Sequence, residues 1–320
     1  MRHFFKVMTF AACALIALPA TAAESINLSI ATGGTGGVYY PLGGGMANVF
    51  SKNIPGMTAT AEVTGGSVDN MRLIGTGKPY IALTQADAAI DAYNGEGKFK
   101  GTKIPVRAMM MLYTNLMHAV TIEGTGINTI NDLKGKRVST GSPGSATEVF
   151  AFRVLEAAGM DPQKDVKIER LGASESANAM KDKKIDAFFF VVGLPTSAVT
   201  DLAATPGVKI KFLDHANLLP AMTKKNGPLY IADVIPKSTY PGMTADNQAT
   251  AVANLLVANA NMSEQTVYDI VKTIFDKRAD LIAMHKTAAD ITLEKQKPEA
   301  SPVPWHPGAV RYFKEKGLKF

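Results

Sequence analysis

The residues whose types and spacing could do chemistry sit in two glycine-rich segments. The first is Gly33-Gly34-Thr35-Gly36-Gly37, which follows the run 26–32 and leads into Val38-Tyr39-Tyr40. The second is Gly141-Ser142-Pro143-Gly144-Ser145-Ala146-Thr147, which follows Lys136-Arg137-Val138-Ser139-Thr140. Each ends a strand-like run with small residues and then opens a helical apolar stripe. Glycine lets the backbone come close to a ligand. The start of the next helix offers unpaired N–H groups and a partial positive charge. Together they suit an anion such as a carboxylate or phosphate, and two of them point to two lobes holding one small anion between them.

Around these segments the candidate ligand contacts are Thr35, Gly36, Gly37 and Tyr39, then Ser67, Asn70 and Gln85, then Ser142, Ser145, Ala146 and Thr147, with Gly193 and Pro195 at the end of a later strand. Competing local roles exist for several. Ser67 is placed to cap a helix by accepting from the amide of Asn70, and one of the hydroxyls in 142–147 is expected to cap while another reaches the ligand. Gln85 follows an apolar strand and either enters the cleft or pairs with backbone. Arg107 and Arg153 are the charges to test for pairing with a ligand carboxylate, against the commoner role of such residues as members of surface ion pairs. A basic residue in the cleft would favour a diacid, and its absence a monoacid or an amino acid.

Catalytic patterns are missing. Gly34-x-Gly36 has Tyr39 where a dinucleotide fingerprint needs its third glycine. Neither loop ends in Gly-Lys-Ser/Thr, and Thr140 replaces the first glycine of a hydrolase elbow around Ser142. His118, His215, His285 and His306 are far apart and lack zinc-ligand spacing. No catalytic residue, metal or cofactor is expected.

The elements that must carry these residues alternate between strand and helix, which argues for an α/β fold. Tyr39, Leu42, Met46, Val49 and Phe50 have helical spacing. Strands are expected at 58–63, 80–84, 166–171, 185–192 and 230–235, and a long extended segment at 106–122 is read as a crossing strand between lobes. The strand 185–192 is apolar throughout, as in a sheet covered on both faces. Pro195 suits a helix start. Ser263 is expected to cap a helix running to about His285, and 309–316 is amphipathic.

The chain has 320 residues, a net charge of +6 and one cysteine. Arg2, His3 and Lys6, an apolar run at 7–18 and Ala20-Thr21-Ala22 read as a secretory signal cleaved after Ala22 or Ala23. Cleavage removes Cys13, Arg2 and Lys6, leaving a charge of +4 and no disulfide, thiol nucleophile or cysteine metal site. The scattered lysines give no concentrated basic face, so nucleic acid is not an expected partner. No later stretch is apolar enough to be inserted in a membrane. The length fits two lobes joined by two chain crossings.

One family shares these motifs in order. The segment Ala31-Thr-Gly-Gly-Thr-Gly-Gly-Val-Tyr-Tyr-Pro-Leu-Gly43 resembles the N-terminal signature of TAXI proteins, the extracytoplasmic solute receptors of a subclass of tripartite ATP-independent periplasmic (TRAP) transporters. Glu62-Val-Thr-Gly-Gly-Ser67, Asp132-Leu-Lys-Gly-Lys-Arg-Val138, Gly141-Ser-Pro-Gly-Ser145, Ile185-Asp-Ala187, Tyr240-Pro-Gly242 and His306-Pro-Gly-Ala-Val-Arg-Tyr312 agree as well. Ala146 stands where many members carry glycine. The resemblance implies a two-lobe type II periplasmic-binding-protein fold with a hinge and an interlobe ligand cleft. Residues 1–23 would be the leader, 24–117 plus 244–320 lobe I, and 118–243 lobe II. It further implies a periplasmic monomer that binds a small carboxylate such as glutamate or 2-oxoglutarate and passes it to a TRAP membrane permease. A periplasmic sensory module presenting a small anion to a membrane kinase would use the same fold.

Overall fold

The computed structural model describes residues 25–320, so the expected leader lies outside the described residues. The first elements alternate: β1 (Ile26–Ala31), α1 (Tyr39–Asn53), β2 (Met57–Glu62), α2 (Ser67–Gly75), β3 (Tyr80–Gln85) and α3 (Ala86–Asn94). The long strand β4 (Val106–Ile122) follows. Then come β5 (Arg137–Ser139), α4 (Ala146–Ala157), α5 (Pro162–Asp165), β6 (Lys167–Glu169), α6 (Ala173–Lys181) and β7 (Ala187–Val192). After them run α7 (Ser197–Ala203), β8 (Ile210–Phe212), α8 (Leu219–Asn226) and β9 (Tyr230–Ile235). The last elements are β10 (Asn247–Asn259), α9 (Glu264–Asp276), α10 (Arg278–Met284) and α11 (Pro307–Glu315).

The strands form one sheet in the order β2-β1-β3-β10-β4-β7-β5-β6, with β8 on β4 and β9 on β10. Its two wings, β2-β1-β3 and β7-β5-β6, are parallel. The long antiparallel pair β4 and β10 joins them. β4 pairs with β10 from Val106 to Leu116 and with β7 from Leu116 to Val120. β10 pairs with β9 up to Val252 and with β3 from Asn254. Each wing with its covering helices makes one lobe, and these two strands run through both. The β4–β10 ladder slips between Asn254 and Leu255 and again between Leu256 and Val257; such bulges bend and twist a strand.

Packing follows the sequence pattern. In α9, Val267, Ile270, Val271 and Ile274 are buried at helical spacing, and the Ser263 hydroxyl accepts from the Thr266 amide. Each such side chain contributes about 1.5–3 kcal/mol when taken from water. The first lobe has its own core around Leu42, Phe50, Ile270 and Phe313. The second centres on Val120, Met180, Phe188 and Leu202. A further cluster runs from Met71 and Ala89 of the first lobe to Phe150 and Val154 of the second without a break, so the lobes share apolar contact.

Three local expectations change. Ser67 is the first residue of α2, not its cap: Gly66 holds that position, and the Ser67 hydroxyl instead accepts from the Gln85 amide at 3.1 Å. Pro195 does not open a helix; it follows a cis Leu194–Pro195 bond, Thr196 is the N-cap, and α7 begins at Ser197. The helix from Ser263 stops at Asp276, because Lys277, at φ −111° and ψ 22°, leaves helical geometry before α10 starts. The helices α6 and α8 and the strand β8 were not expected from the sequence pattern.

Candidate ligand site between the lobes

The parallel strands of both wings end at one crevice, the usual position for a ligand in an open α/β sheet. Gly33 and Gly34 follow β1, Gly65 and Gly66 follow β2, and Gln85 ends β3. From the other side come Gly141 after β5, Leu171 and Gly172 after β6, and Val192 at the end of β7. All of them line one cavity, which leaves about 70 Å³ for the centres of water-sized molecules. At roughly 10–15 Å³ per water this is room for a small metabolite. The helices that start here are α1, α2, α4 and α6, each with its first residue in the wall: Tyr39, Ser67, Ala146 and Ala173. Helix starts carry unpaired N–H groups and about half a positive charge each. No charged side chain is among the residues lining the cavity. Leu171, Phe189, Phe190 and Val191 make its apolar side.

Residues 30–317 match the NMT1-like family model. The chain belongs to the NMT1-like family. Its fold recurs at low sequence identity. A protein of Bordetella bronchiseptica RB50 superposes with a TM-score of 0.55 at 16% identity, over 92% of this chain and 99% of that one. The periplasmic binding protein BugD gives 0.54 at 14%, over 91% and 95%. A binding protein component of an ABC phosphonate transporter from Pseudomonas aeruginosa gives 0.52 at 14%, over 84% and 81%. The architecture is therefore the two-lobe periplasmic-binding-protein fold. Among the described residues of this NMT1-like chain, no helix is long and apolar enough to cross a membrane and no group of three or more His, Cys, Asp or Glu is arranged to hold a metal.

Of the candidate contacts, Gly37, Tyr39, Ser67, Gln85, Ser142, Ser145, Ala146 and Thr147 line the cavity. Several hydroxyls already have structural work. Ser145 accepts from the Glu148 amide at 3.3 Å as N-cap of α4. Thr147 Oγ1 accepts from the Val191 amide at 3.4 Å. Each keeps its own O–H proton to donate. Ser142 instead donates across the crevice to the Gly65 carbonyl at 2.9 Å. The Tyr39 ring forms wall while its hydroxyl donates to Asn254 Oδ1 at 2.9 Å and accepts from Asn115 Nδ2 at 3.3 Å. Burial raises the pKa of that hydroxyl, so it stays protonated.

The structure places Thr35, Gly36, Asn70, Gly193 and Pro195 outside the lining. Thr35 is exposed. Asn70 is a buried clamp: its amide donates to the carbonyls of Thr32 at 2.7 Å and Leu83 at 2.8 Å, fixing the ends of β1 and β3. Gly193 packs against the Tyr113 ring. The Gly36 carbonyl receives Thr196 Oγ1 at 2.6 Å and Ser197 Oγ at 3.1 Å, so it joins the lobes. A side chain on Gly36 would overlap Ser174 of the second lobe, and one on Gly65 would overlap the Pro143 carbonyl oxygen.

The two arginines also lie elsewhere. Arg107 donates to the Val106 carbonyl and lies 5.9 Å from the centre of the Tyr93 ring. Arg153 crosses from α4 to α3, with Asp91 at 2.8 Å and Asp87 at 3.6 Å, and also donates to the Tyr230 hydroxyl at 2.6 Å. Burial raises the Asp87 carboxyl above its usual range, while Arg153 and the Tyr230 hydroxyl, which donates at 2.8 Å, pull it down. Lys98 and Glu148, 3.0 Å apart, add a further pair between lobes. The lobes are thus closed on both flanks of the cavity.

Sequence reasoning missed the start of α6, and at the end of β7 it pointed to Gly193 and Pro195 rather than to Phe189, Phe190, Val191 and Val192, which line the cavity. A signal for the first was present: Leu171-Gly172-Ala173-Ser174 repeats the strand, glycine, small-residue, helix pattern of the other two segments. Within β7 itself there was no signal, because an apolar strand buried on both faces does not show which of its side chains meet a cavity.

Proposed function

We propose that this protein is a periplasmic solute receptor that closes its two lobes on one small carboxylate and delivers it to a membrane permease. The observation that carries the reading is the cavity: the starts of α1, α2, α4 and α6 converge on a wall without charged side chains. Backbone N–H groups then meet the ligand's negative charge. The hydroxyls of Ser145 and Thr147 add donors, and the apolar side takes a short carbon chain.

With no basic side chain in the wall, the ligand carries a single net negative charge. Of the two acids that the TAXI resemblance brings in, glutamate meets this condition and 2-oxoglutarate does not. The same resemblance supports a TRAP permease as the membrane partner, with uptake driven by an ion gradient. A periplasmic location is supported by the leader-like residues 1–23 and by the likeness to BugD.

The test is a thermal-shift screen of protein unfolded and refolded to strip carried-over ligand. Monocarboxylates, amino acids, dicarboxylates and phosphonates make up the panel. A ligand at a hundred times its dissociation constant stabilises by about 2.7 kcal/mol. The reading expects the shift with acids of one negative charge. A shift with phosphonates alone overturns the carboxylate assignment, and a shift only with diacids of two net negative charges overturns the single-charge condition.

A further inference from the structure

Gln85 is the one cavity-lining side chain with an unpartnered buried acceptor among the described residues. It ends β3, serves as N-cap of α3 and is 3% exposed. Its backbone is fixed, with its amide on Ser67 Oγ at 3.1 Å and Asn254 opposite it in the β3–β10 ladder. Its Oε1, by contrast, has no hydrogen-bond partner. The neighbouring polar groups do not supply one. The Tyr39 hydroxyl gives its proton to Asn254 Oδ1. Asn254 Nδ2 is itself unpartnered, so the two amides do not bond each other. Buried acceptors in folded proteins are almost always paired, and one left over beside a cavity calls for a donor from what fills it.

This inference rests on the reading of the cavity as a carboxylate site. We infer that Gln85 selects the ligand by a second polar group: its Oε1 accepts a hydrogen bond from a hydroxyl or amino group on the carbon chain of the small acid. The helix starts hold the carboxylate in any such acid, while Gln85 separates the acid that carries a donor from the one that lacks it. A site built to bond a donor discriminates strongly against the analogue without it, because the buried acceptor is then left unpaired.

The experiment is calorimetric titration of refolded, ligand-stripped protein with butyrate, 2-hydroxybutyrate, 3-hydroxybutyrate and 2-oxobutyrate. The oxo acid is of similar size but offers only an acceptor at that position. In the wild type, one hydroxy acid binds roughly tenfold tighter than butyrate and 2-oxobutyrate. In Gln85→Met the hydroxy acid loses that advantage, its affinity falling to within about twofold of butyrate's in the same variant. Equal binding of the hydroxy acids, butyrate and 2-oxobutyrate in the wild type overturns the role of Gln85 and leaves the carboxylate reading standing. Persistence of the preference in Gln85→Met overturns it too. Should that variant fail to fold, the wild-type ratio of hydroxy to oxo acid decides alone. Binding of none of these acids, together with no shift for any carboxylate of the thermal screen, overturns the carboxylate reading and this inference with it.

Discussion

The Arg153 guanidinium of α4 lies 2.8 Å from the Asp91 carboxylate of α3, bridging the two lobes beside the cavity. Asp87 shares that arginine and is fully buried. Of the two roles open to Arg153 from sequence, ligand partner or ion-pair member, the structure gives it the second, largely buried rather than at the surface, with carboxylates of the protein's own. Arg153 therefore acts on closure, and the ligand's charge is left to the helix starts.

Removing the guanidinium strands a buried carboxylate. Arg153→Met should lower the unfolding free energy by about 3 kcal/mol, in the range seen when one partner of a buried pair is lost. Urea unfolding measures it. A loss below about 1 kcal/mol, the level of an exposed ion pair, would contradict the account. Ligand affinity should fall as well, since the lobes lose a contact.

Closure also needs bare backbone. A methyl on Gly65 meets the Pro143 carbonyl oxygen, and Ser142 donates to the Gly65 carbonyl from the same loop. Gly65→Ala should hold the lobes apart and weaken binding by more than roughly tenfold, with each lobe's core untouched. Titration and thermal unfolding of the same sample separate the effects. A variant that binds as well as the wild type would show that the Gly65–Pro143 approach is not required.

Thr147 lines the cavity, and Thr147→Val keeps the side-chain shape and removes a hydroxyl that accepts from the Val191 amide. Binding should weaken roughly five- to tenfold, the loss of one hydrogen bond to a charged group. Unchanged affinity would take Thr147 out of the contact set.

Acid should destabilise the fold through two histidines. Burial holds His118 and His215 down at about 4, with His118 further lowered by the neighbouring His215. The unfolded chain takes up these protons near pH 6.5 and the folded one does not until about pH 4. Stability contributed by the neutral rings is therefore complete above about pH 6.5 and falls as pH drops towards 4, by about 1.4 kcal/mol per pH unit per histidine. His118 Nε2 accepts from the Tyr240 hydroxyl at 2.8 Å, while Nδ1 donates to the Leu116 carbonyl at 2.9 Å. His118→Asn should flatten the slope between pH 6 and 4.5 by about one proton. An unaltered slope would contradict the assignment.

How much of this was legible in the sequence depended on the range of the interaction. The bounds of β4 and the start of α1 followed from local apolar patterning, and so did the two glycine segments. Ser263 was read correctly as a cap because its partner, Thr266, is three residues away. The cap role expected of Ser67 fails, since Ser67 opens α2 and its hydroxyl serves Gln85 at the end of β3, 18 residues away. The Gly36 carbonyl is held by Thr196 and Ser197, a role that sequence does not disclose because only the closed arrangement of lobes brings them near. The role of Arg153 was hidden for the same reason. Asn70 is a buried clamp on the ends of β1 and β3, a role that depends on a strand register that spacing does not disclose.

The central claim is that backbone N–H groups from both lobes hold the ligand. Amide resonances of isotope-labelled, ligand-stripped protein, followed as the best acid from the thermal screen is added, test it most directly. The account predicts the largest shifts at Ser67 of the first lobe and at Ala146, Thr147 and Ala173 of the second, all saturating together. Shifts confined to one lobe, or centred away from these helix starts, would contradict it.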